Sequence, residues 1–151
     1  MELDEIDHQI LSELQRDARA SMSAVARIAH ISRASAYARV NRLIEAGVIA
    51  GFSARVDPVK AGLHSSAYVT LSVEQGSWQE LRARLIDIPE VAQFALVGGE
   101  VDLILLVRAR DNHHLRRVVL EQLQAIPAVK STKTWLIFED FDPSDERIKR
   151  A

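Results

Sequence analysis

The chain has 151 residues, of which 48% are hydrophobic and 26% are charged, and its formal net charge at pH 7 is −2. This length allows one domain of ordinary size or two small ones, and the composition is that of a globular protein. The absence of cysteine excludes disulfides, thiolate metal sites and cysteine nucleophiles. No apolar run approaches the ~18 residues of a membrane span, and the acidic N-terminus is unlike a secretory signal, so we expect a cytoplasmic protein.

Charge is unevenly distributed along the chain. Residues 1–15 contain five acidic residues and no Lys or Arg, whereas residues 16–56 contain seven Arg against two acidic residues. The local net charge therefore changes from −5 in residues 1–15 to +5 in residues 16–56. A local basic region of this kind indicates contact with nucleic acid, although the chain as a whole is slightly acidic.

An amphipathic helix is predicted from Leu3 to Arg16, with Asp4 suited to cap its first turn. Its apolar residues recur at helical spacing and are expected to cover the helices that follow. They are Ile6, Ile10, Leu11 and Leu14. For Asp7 and Arg19 we expect intradomain ion pairs rather than a direct functional role.

Two short helices separated by a tight turn are predicted between Ser23 and Gly47. Ser23 is expected to cap the first helix, which runs to Ala29, and Ser32 to cap the second, which ends at Gly47. One stripe of the second helix is apolar and should face the core. It consists of Ala36, Val40, Leu43 and Ile44.

The opposite face of the second helix carries side chains that hydrogen-bond phosphate oxygens and base edges, as in the recognition helix of a helix-turn-helix. The predicted DNA-binding residues are the caps and this face, namely Ser23, Ser32, Arg33, Ser35, Tyr37, Arg39, Asn41 and Arg42. We expect Arg39 to hold a phosphate and Arg33 or Ser35 to reach base edges. The alternative is an ordinary surface helix, which also has one apolar and one polar face.

The residues after the second helix favour the DNA-binding interpretation. A glycine stop at Gly47 is followed by a short extended segment up to Val56, which is typical of a winged helix-turn-helix domain. We therefore predict this domain over residues 1–56. Residues 57–63 contain proline and glycine without periodicity and are predicted to form a linker to a second domain, residues 64–151.

The second domain contains an internal repeat, since residues 88–91 and 126–129 match at an offset of 38 residues. Each copy has a strand, an amphipathic helix, a proline and another strand. One such unit is too small to bury its own apolar face. Two in tandem predict an α+β fold, with a ferredoxin-like β-α-β-β-α-β sandwich as the C-terminal domain.

Such a sandwich has helices on only one face of its sheet. The predicted strand segments Leu103–Val107 and Trp135–Phe138 are apolar on both sides, so the open face should be a large apolar patch that marks an interface. We expect a homodimer formed by packing two sheets. Its two-fold symmetry would present two recognition helices to a palindromic operator.

The order of these parts resembles that of the Lrp/AsnC (leucine-responsive, feast/famine) transcriptional regulators over essentially the whole chain. The motifs occur in the family's order: Leu3-Asp4-x-x-Asp7-x-x-Ile10-Leu11-x-x-Leu14, Asp17-Ala18-Arg19, Arg39-Val40-x-x-Leu43, Gly47-Val48-Ile49, and Gly98 followed by Asp102 with one residue more than the usual spacing. The resemblance implies a C-terminal domain that dimerises, often assembles dimers into octamers, and binds a small effector, usually an amino acid, between dimers.

Two residues depart from the family's pattern. His30 stands where the turn usually has glycine, and we expect it to be strained by a positive φ. Val101 stands where an aromatic residue is common, in the loop that should line the effector pocket. The identity of the effector therefore does not follow from the resemblance.

The loop from Val97 to Asp102 is the predicted effector site. Two glycines let backbone N–H groups approach a carboxylate, and an acidic side chain can meet an α-ammonium group. The predicted contacts are Gly98, Gly99, Glu100 and Asp102, with Ser131, Thr132 and Thr134 on the last strand as a second wall. The alternatives are a plain hairpin turn with solvated acids and strand threonines that serve only as β-formers.

Neither a metal site nor a cofactor is expected. The adjacent residues His113 and His114 diverge on a helix, which disfavours shared metal coordination. The sequence shows no nucleophile–base pair and no phosphate-binding loop, so we do not expect an enzyme. The favoured function is a DNA-binding transcriptional regulator that responds to an amino acid. The alternative is an architectural DNA-binding protein that needs no ligand.

Overall fold

In the computed structural model of the chain, the described residues are 2–74, 76 and 78–141. They form two compact units, with the boundary between Arg55 and Val56. The first unit contains α1 (Glu5–Arg16), α2 (Met22–Ile28) and α3 (Arg33–Glu45). The second contains β1 (Ser65–Val73), α4 (Trp78–Ile86), β2 (Val91–Leu96), β3 (Leu103–Ala109), α5 (Asn112–Arg117), which continues as a π-helical segment (Val118–Leu123), and β4 (Val129–Leu136). Residues 142–151 of the predicted second domain lie outside the described residues.

Helix α1 begins after Asp4, as predicted. The Asp4 carboxylate accepts a hydrogen bond from the Asp7 backbone N–H (2.8 Å), and the Asp7 carboxylate accepts one from the Asp4 N–H (3.2 Å), which forms a reciprocal capping box. The apolar faces of α1, α2 and α3 meet in one core. Its buried residues are Ile10, Leu14, Val25, Ala26, Ala29, Ala36, Val40 and Leu43.

Two sequence predictions within this unit were wrong. Helix α2 is capped by Ser21, whose hydroxyl accepts a hydrogen bond from the Ala24 N–H (3.2 Å), and Ser23 lies inside the helix. The cap therefore lies two residues earlier than predicted, and the Ser21 carbonyl accepts from the Val25 N–H (3.0 Å). Ile44 was expected in the core stripe, but its side chain is 44% exposed because Leu43, one position earlier, already fills the inward position.

The turn between α2 and α3 depends on a residue in the left-handed region. His30 has a φ of 52°, as the departure from glycine predicted. The Ile31 N–H donates to the Ala26 carbonyl (3.0 Å) and the His30 N–H to that of Arg27 (3.3 Å), which is the bonding pattern of a Schellman cap. This cap ends α2 abruptly enough for Ser32 to cap α3, as predicted, by accepting from the Ser35 N–H (3.1 Å).

Gly47 ends α3 with a φ of 71°, as predicted. Residues 46–57 then form neither helix nor strand, so within the described residues the expected wing has no sheet pairing. The predicted linker contains a turn, since the Leu63 N–H donates to the Pro58 carbonyl (2.8 Å) and the Asp57 carboxylate accepts from the Val59 and Lys60 N–H groups. The compact second unit includes this turn.

The second unit has the predicted ferredoxin-like sandwich. The four strands pair antiparallel in the order β2-β3-β1-β4, which places the two strands of each repeat on opposite sides of the sheet centre. Helices α4 and α5 pack against one face. The buried core between these layers includes Val69, Leu81, Leu105, Leu115 and Leu123.

The opposite face of this sheet, which we call the open face, carries large apolar side chains. Tyr68 at its centre pairs with Leu106 on one side and with Trp135 on the other. The exposed fractions are 46% for Tyr68, 38% for Ile104 and 51% for Trp135. The prediction of an apolar face is therefore confirmed for these central positions, whereas Arg108 and Lys133 on the same face are charged.

Candidate functional site

The solvent face of α3 presents several of the predicted DNA-binding side chains at once. Arg33 and Tyr37 lie one turn apart, and the Arg33 guanidinium stands over the Tyr37 ring at 5.6 Å from its centroid. Both side chains are exposed, as is that of Asn41. This contact orders a cation and a phenol at the start of the helix, which is the part of a recognition helix that approaches base edges.

The predicted serine contacts have different local roles. The Ser32 hydroxyl caps α3 by accepting a hydrogen bond from the backbone N–H of Ser35. Both hydroxyl groups retain a proton that can be donated to a phosphate oxygen. Ser23 is exposed in the first turn of α2 but does not cap it.

Arg39 and Arg42 bind acidic residues of α1. One Arg39 amino group donates to the Asp4 carboxylate (2.7 and 2.8 Å) and to that of Asp7 (2.8 Å), and Arg42 donates to both oxygens of Asp7 (2.7 and 2.9 Å). We call these four residues the charge cluster. The expected intradomain ion pair of Asp7 is confirmed, and the phosphate contact predicted for Arg39 has to compete with it.

Hydrogen bonding within the charge cluster shifts two ionisation equilibria. The Asp7 backbone N–H, followed by the Arg39 guanidinium, holds the pKa of Asp4 below its usual value. The carboxylates of Asp4 and Asp7 raise the pKa of Arg39. Both shifts favour the charged forms of Asp4 and Arg39.

The predicted effector loop is a tight connection between β2 and β3. Asp102 anchors it, because its carboxylate accepts from the Val73 N–H at the end of β1 (2.8 Å) and its backbone N–H donates to the Leu71 carbonyl (3.0 Å). Asp102 thus has a structural contact that the sequence did not reveal. Its half-buried side chain ties the loop to the central strand of the sheet.

Three other predicted loop contacts face open space. Gly98, Gly99 and Glu100 are exposed, and a Cβ added at either glycine would meet no atom within 4 Å. Gly99 has a φ of 150°, which favours glycine there, whereas Gly98 has no such constraint. The two glycine positions are therefore open to approach from solvent.

The second predicted wall is divided between two faces of β4. Leu71 pairs with Thr132 on one side and with Leu103 on the other, so Thr132 lies two strands from the loop. The Thr132 hydroxyl accepts from the Gln124 amide (2.8 Å). Ser131, which alternates with Thr132 along the strand, is on the open face.

Thr134 lies farther along β4 and lines a cleft of about 440 Å³ between this strand and α5. The other lining residues are Asn112, Leu115, Arg116, Val119, Leu120 and Leu136. None of the predicted loop residues lines this cleft. A single copy of the described residues thus does not bring the two predicted walls together.

The described residues contain no group of three or more His, Asp or Glu side chains arranged to hold a metal ion. Nor does the described part of the chain include a helix that is long and apolar enough to cross a membrane.

Comparison with protein families identifies both units. Residues 3–50 match a family model described as winged helix-turn-helix DNA-binding, and residues 66–146 match the Lrp/AsnC ligand binding domain. The chain belongs to the Lrp/AsnC family. It is a transcriptional regulator of that family, with a helix-turn-helix DNA-binding domain and a ligand-binding domain.

Individual Lrp/AsnC relatives match over nearly the whole chain. An uncharacterised HTH-type transcriptional regulator of Pyrococcus horikoshii is 36% identical over 137 residues, which cover 91% of this chain and 87% of the relative. The regulator AldR of Mycolicibacterium smegmatis is 39% identical over 91% of this chain and 82% of its own. The crystal structure of the Neisseria meningitidis regulator NMB0573, solved as an L-Met complex, superposes with a TM-score of 0.87 at 22% identity and covers 93% of each chain.

Sequence reasoning missed two features of this Lrp/AsnC chain that bear on its sites. One is the pairing of Asp4 and Asp7 with Arg39 and Arg42, and the other is the backbone contact of the Asp102 carboxylate. The first had a signal, because the cap and the first turn of one helix carry two acids spaced by three residues, and another helix carries two arginines with the same spacing. The second depends on which strands pair and had no local signal.

Proposed function

We propose that this regulator binds a double-stranded operator through the solvent face of α3 and that a small effector, an amino acid, controls its binding. The observation that supports the DNA contact is the exposed Arg33–Tyr37 pair at the start of a helix that Ser32 caps. Ser23, Ser35 and Asn41 extend the same proposed surface. Phosphate contacts fix the position of the helix, and base contacts from Arg33 or Ser35 set specificity.

The DNA contact is tested by replacing Arg33 with Gln in the full chain. An operator is first selected from a random-sequence duplex pool, and binding is then measured by fluorescence anisotropy across a series of salt concentrations. If Arg33 contacts a phosphate, its replacement should flatten the slope of log K against log salt by about 0.9. If it contacts a base, discrimination at one base pair should fall by about 1–3 kcal/mol.

Arg82→Gln is the matched control, because it removes the same charge from an exposed position of α4 in the second unit. We expect it to leave both the salt slope and the base preference unchanged. Equal effects of the two substitutions would mean that net charge, rather than α3, carries the binding.

The effector proposal rests on the accessible glycine loop and on the ligand class of a structural neighbour. The Neisseria regulator was crystallised with L-Met, so amino acids are the first class to test. Because a ligand that binds only the folded state stabilises it, about 2.7 kcal/mol is expected at a hundredfold excess over Kd. A thermal-shift screen with each of the twenty amino acids tests this directly.

The role of the loop is tested with Gly98→Val. The open space around Gly98 and its unconstrained φ predict that this variant folds, while the added side chain blocks approach to the backbone N–H groups. Calorimetric titration should then show that the variant no longer binds the amino acid that scored in the screen. Gly51→Val is the control, since Gly51 is equally unobstructed but lies in the first unit.

Asp102 needs a more careful substitution. Asp102→Asn keeps an acceptor for the Val73 N–H and removes only the charge that an α-ammonium group would meet. Unaltered affinity in Asp102→Asn would leave Asp102 as an anchor of the hairpin alone. If no amino acid binds the wild type, the ligand-free architectural function becomes the better proposal.

We further propose that two copies dimerise through the open face. Besides its exposed apolar residues, this face contains the Thr70 hydroxyl, which is buried and lacks a hydrogen-bond partner among the described residues. A second sheet packed on this face would cover the apolar side chains and bring polar groups within reach of that hydroxyl. Assembly of dimers into an octamer rests on family resemblance, and an effector bound at the loop would then contact a neighbouring dimer.

A further inference from the structure

Asp7 is the centre of the charge cluster and has no solvent exposure. Its two carboxylate oxygens accept one hydrogen bond from Arg39, two from Arg42 and one from the Asp4 N–H. A carboxylate has about four lone-pair positions, so its bonding capacity is filled. A buried charge is tolerated only where it is paired in this way.

The cluster restrains the two arginines to different degrees. Each arginine donates through one amino group, but the Arg39 side chain is 23% exposed and binds two carboxylates, whereas the Arg42 side chain is 48% exposed and binds Asp7 alone. Arg42 is therefore the more accessible of the two to solvent. Two acids and two arginines also sum to zero charge, so the cluster adds little to the attraction of phosphates.

We propose that Asp7 is a positioning residue of the DNA interface, which holds Arg39 inside the domain so that α3 meets DNA with Arg33 and not with Arg39. This inference rests on the proposed DNA-binding function. It changes the expectation for Arg39 from a phosphate contact to an internal support. The buried carboxylate also fixes α3 against α1, and thereby sets the angle at which the exposed face enters the groove.

The test compares the salt dependence of DNA binding among variants of the full chain. The probe is a random-sequence duplex of about 30 base pairs, titrated between about 50 and 200 mM KCl. Asp7→Asn removes the charge that binds Arg42 and one of the two charges that bind Arg39, which keeps its contact with Asp4. The loosened Arg39 should then reach a phosphate and steepen the slope of log K against log salt by about 0.9.

Two further variants separate positioning from simple support of the fold. In Asp7→Asn combined with Arg39→Gln, the slope should return to that of the wild type, because the released cation is gone. Arg39→Gln alone should leave the slope unchanged while lowering the melting temperature. A role confined to stability would lower the melting temperature of Asp7→Asn without changing its slope.

Glu5→Gln is the matched control. Glu5 is exposed in the same turn of α1 and lies outside the charge cluster, so its replacement changes the net charge equally without releasing an arginine. If circular dichroism shows that Asp7→Asn does not fold, Asp4→Asn serves instead. Its carboxylate is 51% exposed and binds only Arg39 of the two arginines.

The outcomes are distinct. A steeper slope in the folded Asp7→Asn or Asp4→Asn, but not in Glu5→Gln, supports the inference. A slope equal to that of the wild type in these variants, or a flattening by about 0.9 in Arg39→Gln alone, overturns it. Failure of the wild type to bind the duplex at all would instead overturn the proposed function.

Discussion

His30 is an exposed residue whose backbone, with a φ of 52°, adopts a conformation that most residues avoid. The left-handed region costs a non-glycine residue about 1–2 kcal/mol, whereas glycine loses about 0.5–1 kcal/mol of chain entropy on folding. We therefore expect His30→Gly to raise the free energy of unfolding by roughly 0.5–1 kcal/mol. Urea denaturation of the full chain measures this change.

Ala46→Gly is the control for His30→Gly, because it introduces glycine where the backbone is not strained. Ala46 is exposed at the end of α3 with a φ of −77°, where glycine relieves no strain and only adds entropy to the unfolded chain. Its unfolding free energy should fall by up to ~1 kcal/mol. A loss of stability in His30→Gly as well would show that the imidazole makes a favourable contact that outweighs the strain.

The partners of two buried or half-buried carboxylates could not be predicted from the sequence. The sequence predicted an ion pair for Asp7 and an effector contact for Asp102. The observed partners of both carboxylates lie on other elements of the fold. Asp7 meets residues more than thirty positions away, and Asp102 meets the end of β1. Composition and periodicity assign a residue to a face of its element, whereas the partner of a buried carboxylate follows only from the packed structure.

The first residue of α2 was also predicted incorrectly from the sequence. Ser23 was predicted to cap this helix, whereas the cap in the structure is Ser21, two residues earlier. Ser21→Ala should therefore destabilise the chain by about 1 kcal/mol, because the Ala24 N–H loses its acceptor. Ser23→Ala should be neutral or slightly stabilising, since alanine has the higher helix propensity. Thermal or urea unfolding of the two variants tests the assignment, and a reversed order would restore Ser23 as the cap.

The N-terminus of α1 makes a prediction about pH. The pKa of Asp4 is lowered chiefly by the Asp7 backbone N–H and next by Arg39. The carboxylate is therefore more easily ionised in the folded than in the unfolded chain, where the reference pKa is 3.8. The stability that this contributes is complete above the unfolded pKa and is lost as the pH falls through the folded value.

The measurement is an NMR titration of the Asp4 side-chain carboxyl carbon. We expect its midpoint to lie below 3.8 in the wild type. In Arg39→Gln the midpoint should rise but stay depressed, because the backbone hydrogen bond remains. A midpoint that Arg39→Gln leaves unmoved would show that the ion pair contributes nothing to the ionisation of Asp4.

For the whole molecule, the sequence predicted both units and the strand and helix order of the second. That success has a physical basis, because a repeated strand–helix–strand unit that cannot bury its own apolar face has few ways to pack. The predicted effector site is not assembled within one copy of the described residues. Its two expected walls lie at different places in one unit, so a pocket built from both requires a neighbouring copy, which single-chain patterns do not encode.

The open face supplies the last prediction, which concerns assembly of the full chain. Ile104 lies on β3 between Thr70 and Ala95, at the centre of this face, and is 38% exposed. In a monomer, Ile104→Asp would place a charge at a partly wet position, whereas between two packed sheets it would bury an unpaired carboxylate on each side of the two-fold axis. We therefore expect Ile104→Asp to remain folded and to dissociate at micromolar concentration, as measured by sedimentation velocity. Ile86→Asp, a change of the same chemistry at a 62% exposed position of α4, should stay dimeric. If both variants sediment like the wild type, the dimer forms through another surface, and α1 of the first unit becomes the next candidate.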